Sequence, residues 1–311
     1  MKRILNLRAG SALRTIGSEN EYRVIDHIGT GGNSVVLAAV VTRGPLQGAV
    51  VAFRVFLQLD DAKRKARFVQ EGEFLQQLHH PAIVSVLEIG EARIGGTDGV
   101  QAHPYQVQKL YGAPLSVALR GDVPMVYRVL WTVQLLSALR HLASLGDWVV
   151  HRDIKPANVF IDGCTAVLAD FGMMKRRSEF AGPVEDDPDF LRTKMPKCYR
   201  TPDLVEYLRV GTIPTPKSDV FQLGLVVAEM FFKYNPLKVA ERIDADVELA
   251  ELMVGSGDYQ SRLSALAKRM LVMSSADREM ADSLLDDWDG LLHSVADDYT
   301  KLEGRVIPRR W

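Results

Sequence analysis

The sequence predicts an α+β fold in two lobes: a small β-rich N-lobe with one main helix, and a larger, mostly α-helical C-lobe. Three observations predict it. Strand-like runs separated by glycine-rich breaks fill residues 22–110. Helical periodicity dominates beyond residue 113. The pattern switches near Lys109–Gly112, which is read as the hinge.

Residues 1–20 are weakly patterned and read as an N-terminal extension. The domain spans 21–295, with an N-lobe of about 21–109, a C-lobe of about 113–295 and a tail at 296–311. YRVIDHIG, SVVLAAVV and GAVVAFRVFL read as an antiparallel meander. In DDAKRKARFVQEGEFLQQL, Phe68, Glu71, Leu75 and Leu78 recur at helical spacing, and His80-Pro81 closes the helix. AIVSVLEIGEARI and PYQVQKLYG complete five strands. PMVYRVLWTVQLLSALRHLASLG places Val126, Val129, Val133, Leu136 and Leu139 on one helical face. SDVFQLGLVVAEMFF reads as a central core helix, and further helical patterns run through 246–255, 260–273 and 280–295.

The bulk numbers exclude several classes. A formal net charge of -1 points to neither nucleic acid nor an acidic membrane surface. No apolar run reaches the ~18–20 residues of a membrane span. The apolar stretch in MKRILNLRAGS is too short for a signal peptide, so a cytoplasmic protein is expected. Cys164 and Cys198 make no disulfide framework, and Cys198 reads as a buried, inert thiol in preference to a redox-sensitive one.

Three stretches carry chemistry. IGTGGNSVV, residues 28–36, sets glycines between two strands, where a backbone can pass close to phosphate or merely turn a hairpin. VVHRDIKPANVFID, residues 149–162, holds His, Arg, Asp, Lys and Asn within eight residues. A solvated loop can be that polar, but a proton acceptor, a cation and a metal-binding amide also make a phosphoryl-transfer kit. LADFGMM ends a strand on Asp170, which suits a magnesium ligand or a plain turn.

HRDIKPAN followed by DFG resembles the catalytic core of the eukaryotic-type Ser/Thr protein kinases, over roughly residues 22–295. GTGGNSVV is similar to the glycine loop of the bacterial members, and HHPAIVSVLEIG to the segment after the family's αC helix. Lys155, two residues after Asp153, resembles the Ser/Thr branch. The resemblance implies a kinase that transfers the γ-phosphoryl of Mg-ATP to a protein Ser/Thr hydroxyl, with a regulatory protein as a further partner. Gly29, Gly31 and Ser34 would cover the phosphates, and Val36 would join the nucleotide site. Ala52 and Phe160 would sandwich adenine, with Gln108 at the gatekeeper and Lys109–Leu110 at the hinge. Asp153 would accept the substrate proton and Lys155 would steady the γ-phosphate. Asn158 and Asp170 would hold Mg2+, Asp219 would brace the catalytic loop, and Leu75, His151 and Phe171 would form a stacked spine.

The pattern breaks at VVAFRVF. Arg54 stands where the family's phosphate-binding lysine belongs, with Glu71 as its expected partner. A guanidinium is planar and forked where an ammonium is a compact point charge, so catalytic positioning is at stake. Three readings stay open: a pseudokinase acting as a nucleotide-binding or allosteric scaffold, a working variant, or an introduced inactivating substitution. A small-molecule kinase of related fold is a further alternative, which the HRDIKPAN loop and the long segment after DFG oppose.

The later segment departs too. RTPD at 200–203 replaces the family's A-P-E, with Asp203 expected to pair with Arg278, and Pro196 stands where a threonine is usual. Glu185, Asp186, Asp187 and Asp189 read as a solvated acidic loop or as phosphate mimics. Ser178 and Thr193 are candidate phosphorylation sites, and IPRRW is a tail that could dock.

Overall fold

The computed structural model describes residues 7–31, 33–96, 99–180, 197–242, 244–252 and 258–303 of the 311-residue chain. The chain forms two compact units, Met1–Tyr111 and Gly112–Trp311.

The first unit is an antiparallel barrel of six strands: β1 (Ala12–Ile16), β2 (Glu21–Thr30), β3 (Ser34–Arg43), β4 (Val50–Phe56), β5 (Val86–Gly96) and β6 (Gly99–Lys109). Their order is β1-β2-β3-β4-β6-β5, and β1 closes the barrel by pairing with both β2 and β5. The sequence suggested five strands and placed residues 12–16 in an extension. Only Leu13 of β1 is buried, and one inward residue leaves no alternation to detect.

In β4 the residues alternate between two faces. Val51, Phe53 and Val55 of β4 pack inside with Tyr22, Leu37, Tyr105 and Val107, while Ala52 and Arg54 face the other way. Phe53 stacks on Tyr105 at 4.6 Å and meets Tyr22 edge-on at 5.1 Å. Glu88 gathers hydrogen bonds from Tyr22 (2.8 Å), Asn20 (2.7 Å) and the Tyr105 hydroxyl. Burial opposes its charge, but those donors together with Ser18 outweigh it and hold the carboxyl below its usual range.

Helix α1 (Ala62–Gln77) covers the outer face of β5 and β6. Asp61 caps its start by accepting from the Arg64 N–H at 2.9 Å. Phe68, Glu71, Leu75 and Leu78 are all buried, as the spacing predicts. The helix leaves α geometry at Leu78, ahead of His80-Pro81.

The second unit contains α2 (Leu115–Ala118), α3 (Met125–Ser144), α4 (Pro202–Val210), α5 (Lys217–Phe232), α6 (Gln260–Met270) and α7 (Ala281–Glu303). Helix α5 is central and mostly buried, as expected. Helix α3 packs against both α5 and α7. It therefore buries Trp131, Leu135, Ala138 and Leu142 beside Val129, Leu136 and Leu139, while Val126 and Val133 are only half-buried. Phe231 meets the fully buried Trp288 at 5.9 Å between ring centroids.

Two expectations need correction here. Residues 246–252 are not helical: Glu248–Leu249 pairs with Leu237–Lys238, and the rest of that predicted helix lies outside the described residues. Val247 and Leu252 are its buried residues, and so short an apolar pattern cannot choose a period. Helix α7 also runs on to Glu303, into the segment read as a tail. Among the described residues no helix is long and apolar enough to cross a membrane.

Candidate active site

In the first unit, Arg54 lies on β4 between Val36 of β3 and Gln106 of β6. Its Nη1 donates to Glu71 Oε1 on α1 at 2.7 Å. That nitrogen also reaches Gln106 Oε1 at 3.5 Å, and Nε donates to Ser34 Oγ at 3.3 Å. The guanidinium carbon sits 5.2 Å from the centre of the Phe68 ring. The Arg54 side chain is 17% exposed and that of Glu71 only 3%. The expected Arg54–Glu71 pair is present, and its guanidinium is engaged on several sides.

The glycine loop precedes β3. A Cβ at Gly29 or Gly31 would meet only ordinary contacts, at 3.8 and 3.6 Å, and neither residue has the positive φ that favours glycine. The protein's own packing therefore demands neither glycine, which leaves close approach by a ligand as a physical reason for them. The Gly31 N–H is already used, donating to the Ser34 carbonyl at 2.8 Å. Ala52 pairs with Gln108 across β4 and β6, and Leu110 follows β6.

In the second unit, residues 151–158 link β7 (Val149–Val150) to β8 (Val159–Asp162). Asp219, at the start of α5, accepts the backbone N–H groups of His151 (2.7 Å) and Arg152 (3.0 Å). Arg152 has φ 71, a left-handed conformation costly for a non-glycine residue. Gln222, one turn along α5, accepts from the Ile154 N–H at 2.9 Å and donates to the Arg152 and Tyr199 carbonyls. Asp219 is wholly buried, and burial pushes its carboxyl up to about 7 against those two donors.

Asp153 is held at the loop's centre. Lys155 Nζ donates to both of its oxygens, at 2.9 and 2.8 Å. Asn158 Nδ2 donates to its Oδ2 and to its backbone carbonyl, each at 2.8 Å. Burial raises the Asp153 carboxyl to about 6, Lys155 and Asn158 restrain it, and the charge of Asp170 adds to the rise. His151 Nδ1 accepts from the Asp153 N–H, so Nε2 carries the proton and donates to the Ala169 carbonyl at 3.1 Å. Burial pushes this imidazole down to about 4, which keeps it neutral. Its ring meets Phe171 edge-on at 4.4 Å; Leu75, the third expected spine member, is buried in the first unit.

Asp170 follows β9 (Thr165–Leu168) with φ 59, its side chain in an exposed residue. Asn158 spends Nδ2 on Asp153, which leaves Oδ1 as an acceptor. Among the described residues no group of three or more His, Cys, Asp or Glu could hold a metal by itself. One carboxylate and one amide oxygen still fit Mg2+, which keeps waters and takes phosphate oxygens rather than a full protein cage. Phe160, on β8, is half-buried.

Further along, Thr201 caps α4, Pro202 opens it, and Asp203 meets Arg278 at 2.8 Å through Oδ2 alone. Asp203 Oδ1 is buried, and no described residue donates to it. The Ser178 hydroxyl donates to Asp147 at 2.6 Å. Cys198 is exposed, contrary to the buried thiol expected, because its turn sends Tyr199 inward instead. The expectations on Glu185, Asp186, Asp187, Asp189, Thr193, Pro196 and IPRRW fall outside the described residues.

Sequence reasoning missed Gln106 and Gln222. Gln222 had a signal, an amide inside an otherwise apolar helix. Gln106 had none, because YQVQK alternates as a half-exposed strand would, and only the packing of α1 on β6 buries it.

Comparison with known proteins gives a consistent result. Residues 22–288 match the model of the protein kinase domain family. The chain is 30% identical to the serine/threonine-protein kinase PknL of Mycobacterium tuberculosis over 93% of its length and 69% of the relative's. It is 26% identical to mitogen-activated protein kinase 19 of Arabidopsis thaliana, over 90% of this chain and 47% of that one. It is also 26% identical to extracellular signal-regulated kinase 2 of Dictyostelium discoideum, over 68% and 54%. The chain thus spans about half the length of the last two relatives.

Proposed function

The chain belongs to the protein kinase family, and we propose that it is a Ser/Thr protein kinase transferring the γ-phosphoryl of Mg-ATP to a protein hydroxyl. The observation that carries this reading is the Asp153 cluster: a buried carboxyl with a value near 6, bonded to Lys155 and Asn158 in a loop braced by Asp219. At neutral pH Asp153 is mostly ionised and accepts the proton of the incoming hydroxyl. That hydroxyl oxygen bonds the γ-phosphorus as the bond to the β–γ bridging oxygen breaks, and ADP leaves. Lys155 neutralises charge beside the transferring group. Gly29 and Gly31 leave room for close approach of phosphate, Ser34 borders that loop, and Val36, Ala52, Gln108, Leu110 and Phe160 are assigned to the nucleotide. Asn158 and Asp170 would hold Mg2+, which would supply neutralisation of the phosphate oxygens. A protein with accessible Ser or Thr is the substrate class. The two exposed, free cysteines support a reducing, cytoplasmic setting.

Radiolabel transfer from Mg-ATP to the protein and to a generic protein acceptor tests this. The parent is expected to label, and Asp153→Asn to lose about a hundredfold or more. No label from the parent, in protein that binds Mg-ATP in a thermal-shift titration, would sink it. That outcome would support the second reading, a nucleotide-binding or allosteric scaffold. Arg54 favours this alternative, because its guanidinium is committed to Glu71, Ser34 and Gln106.

A further inference from the structure

We propose that Gln106 is a positioning residue that makes position 54 an arginine site, by tying the Arg54 guanidinium to the backbone of α1. The amide is 1% exposed, on the strand face that α1 covers. Its Nε2 donates to the Phe68 carbonyl of α1 at 2.7 Å. Its Oε1 accepts from Gln108 Nε2 at 3.0 Å and from Arg54 Nη1 at 3.5 Å. Donor faces carbonyl and acceptor faces two donors, so these partners fix the amide's orientation. A hydrophobic residue here could pack equally well but could bridge nothing.

Helix α1 is shaped for this contact. Gly72, beside Glu71, is buried in the helix interior, where glycine is unfavourable. A Cβ at Gly72 would lie 3.1 Å from Gln106 Nε2, 3.2 Å from its Cγ and 2.9 Å from Ile89 Cγ2. The missing side chain is the space that Gln106 occupies. Phe68, whose carbonyl receives the amide, also lays its ring against the guanidinium at 5.2 Å.

The arrangement distinguishes arginine from lysine. Arg54 Nε, which lies partway along the side chain, donates to the buried Ser34 hydroxyl. Lysine carries donors only at its tip and would set a methylene at that level. An ammonium can still meet Glu71, but it cannot also serve Ser34 and Gln106 with the same geometry. This inference needs the kinase reading only for its consequence in nucleotide binding.

The test is a cycle of parent, Arg54→Lys, Gln106→Met and the double variant, with methionine chosen to conserve volume. Amide hydrogen exchange of residues 68–75 without nucleotide is the first measurement. Exchange should quicken at least tenfold in Gln106→Met and in Arg54→Lys, and the double variant should add less than threefold to either. Equal packing would make a purely steric role silent in Gln106→Met. Mg-ATP affinity by calorimetry is the second measurement. Arg54→Lys should weaken binding when Gln106 is present and strengthen it in the Gln106→Met background, a reversal that general loosening does not produce. Additive exchange, an unchanged Gln106→Met, or tighter Mg-ATP binding by Arg54→Lys alone would overturn the proposal. If Gln106→Met does not fold, Gly72→Ala displaces the same amide from the other side and must give the same quickened exchange. Coupled exchange with no nucleotide binding in any form would support the arginine site and sink the kinase reading.

Discussion

Around Asp153 the structure is built largely on backbone groups: Asp219 receives two N–H donors, Gln222 binds one N–H and two carbonyls, and Asn158 reaches the Asp153 carbonyl. Around Arg54 the side chains of Ser34, Glu71 and Gln106 meet the guanidinium from β3, α1 and β6. A centre held through its backbone tolerates change in the side chains around it, except in the braces Asp219 and Gln222 that grip that backbone. A centre made of interlocking side chains does not, because each member is positioned by the others. The lysine expected at position 54 therefore cannot be judged at that position alone. Ser34, Phe68, Gly72 and Gln106 set what the position accepts.

The largest effect expected from this contrast is at Asp219. Asp219→Ala orphans two buried N–H groups, each costing about 1–3 kcal/mol, and removes what holds Arg152 at φ 71. A loss of about 3 kcal/mol or more is expected in urea denaturation, together with loss of transfer. A loss under about 1 kcal/mol would mean that the loop is fixed by something else, and the contrast would fail.

The same contrast explains what could be read from the sequence. The Asp153 centre is legible in short runs: HRDIKPAN supplies the loop, DFG follows about a dozen residues later, and SDVFQLG supplies the brace. Arg54 and Glu71 were also legible as a pair. The contact of the Ser34 hydroxyl with Arg54 was not foreseen, and Gln106 and Gly72 went unnoticed. Their meaning depends on α1 lying over β6, a long-range fact that no periodicity encodes. Strand β1 escaped for the opposite reason, having too little periodicity of its own.

Gly72→Ala is the next effect in size. Intrinsic propensity alone would make alanine the better helix residue by about 1 kcal/mol. Overpacking against Ile89 and Gln106 costs about 1–3 kcal/mol. A net destabilisation of about 1 kcal/mol is expected in thermal or urea melts, and a stabilised variant would show that α1 sits more loosely on β6.

A smaller effect is carried by pH. Asp153 acts as a proton acceptor only when ionised, so kcat/KM should fall tenfold per unit below about pH 6 and level off above it. Lys155→Met removes the cation that restrains this carboxyl and should move the limb to higher pH; ionisation of ATP itself would not move with the variant. The stability contribution has its own sign. Folding raises this carboxyl above its ordinary value of 3.8, so the folded loop retains a proton that the unfolded chain releases. The group's contribution is therefore fully present below that value and is lost as pH rises through about 6. Comparing the stability of parent and Asp153→Asn across that window isolates it.

The smallest effect examines the weakest link at Arg54. Ser34→Ala removes one hydroxyl that accepts from Nε at 3.3 Å, a long bond to a side chain that keeps 17% exposure. Water can take over part of that role, so the cost should lie near the low end for a hydrogen bond, about 0.5–1 kcal/mol. The decisive measurement is the same substitution in Arg54→Lys. Lysine sets a methylene at the level of Nε, so in that background Ser34→Ala should cost nothing measurable. An equal cost in both backgrounds would mean that the hydroxyl acts through its strand rather than through the guanidinium. Glu71 and Gln106 would then remain as acceptors of the guanidinium, with Ser34 contributing only to the packing of β3.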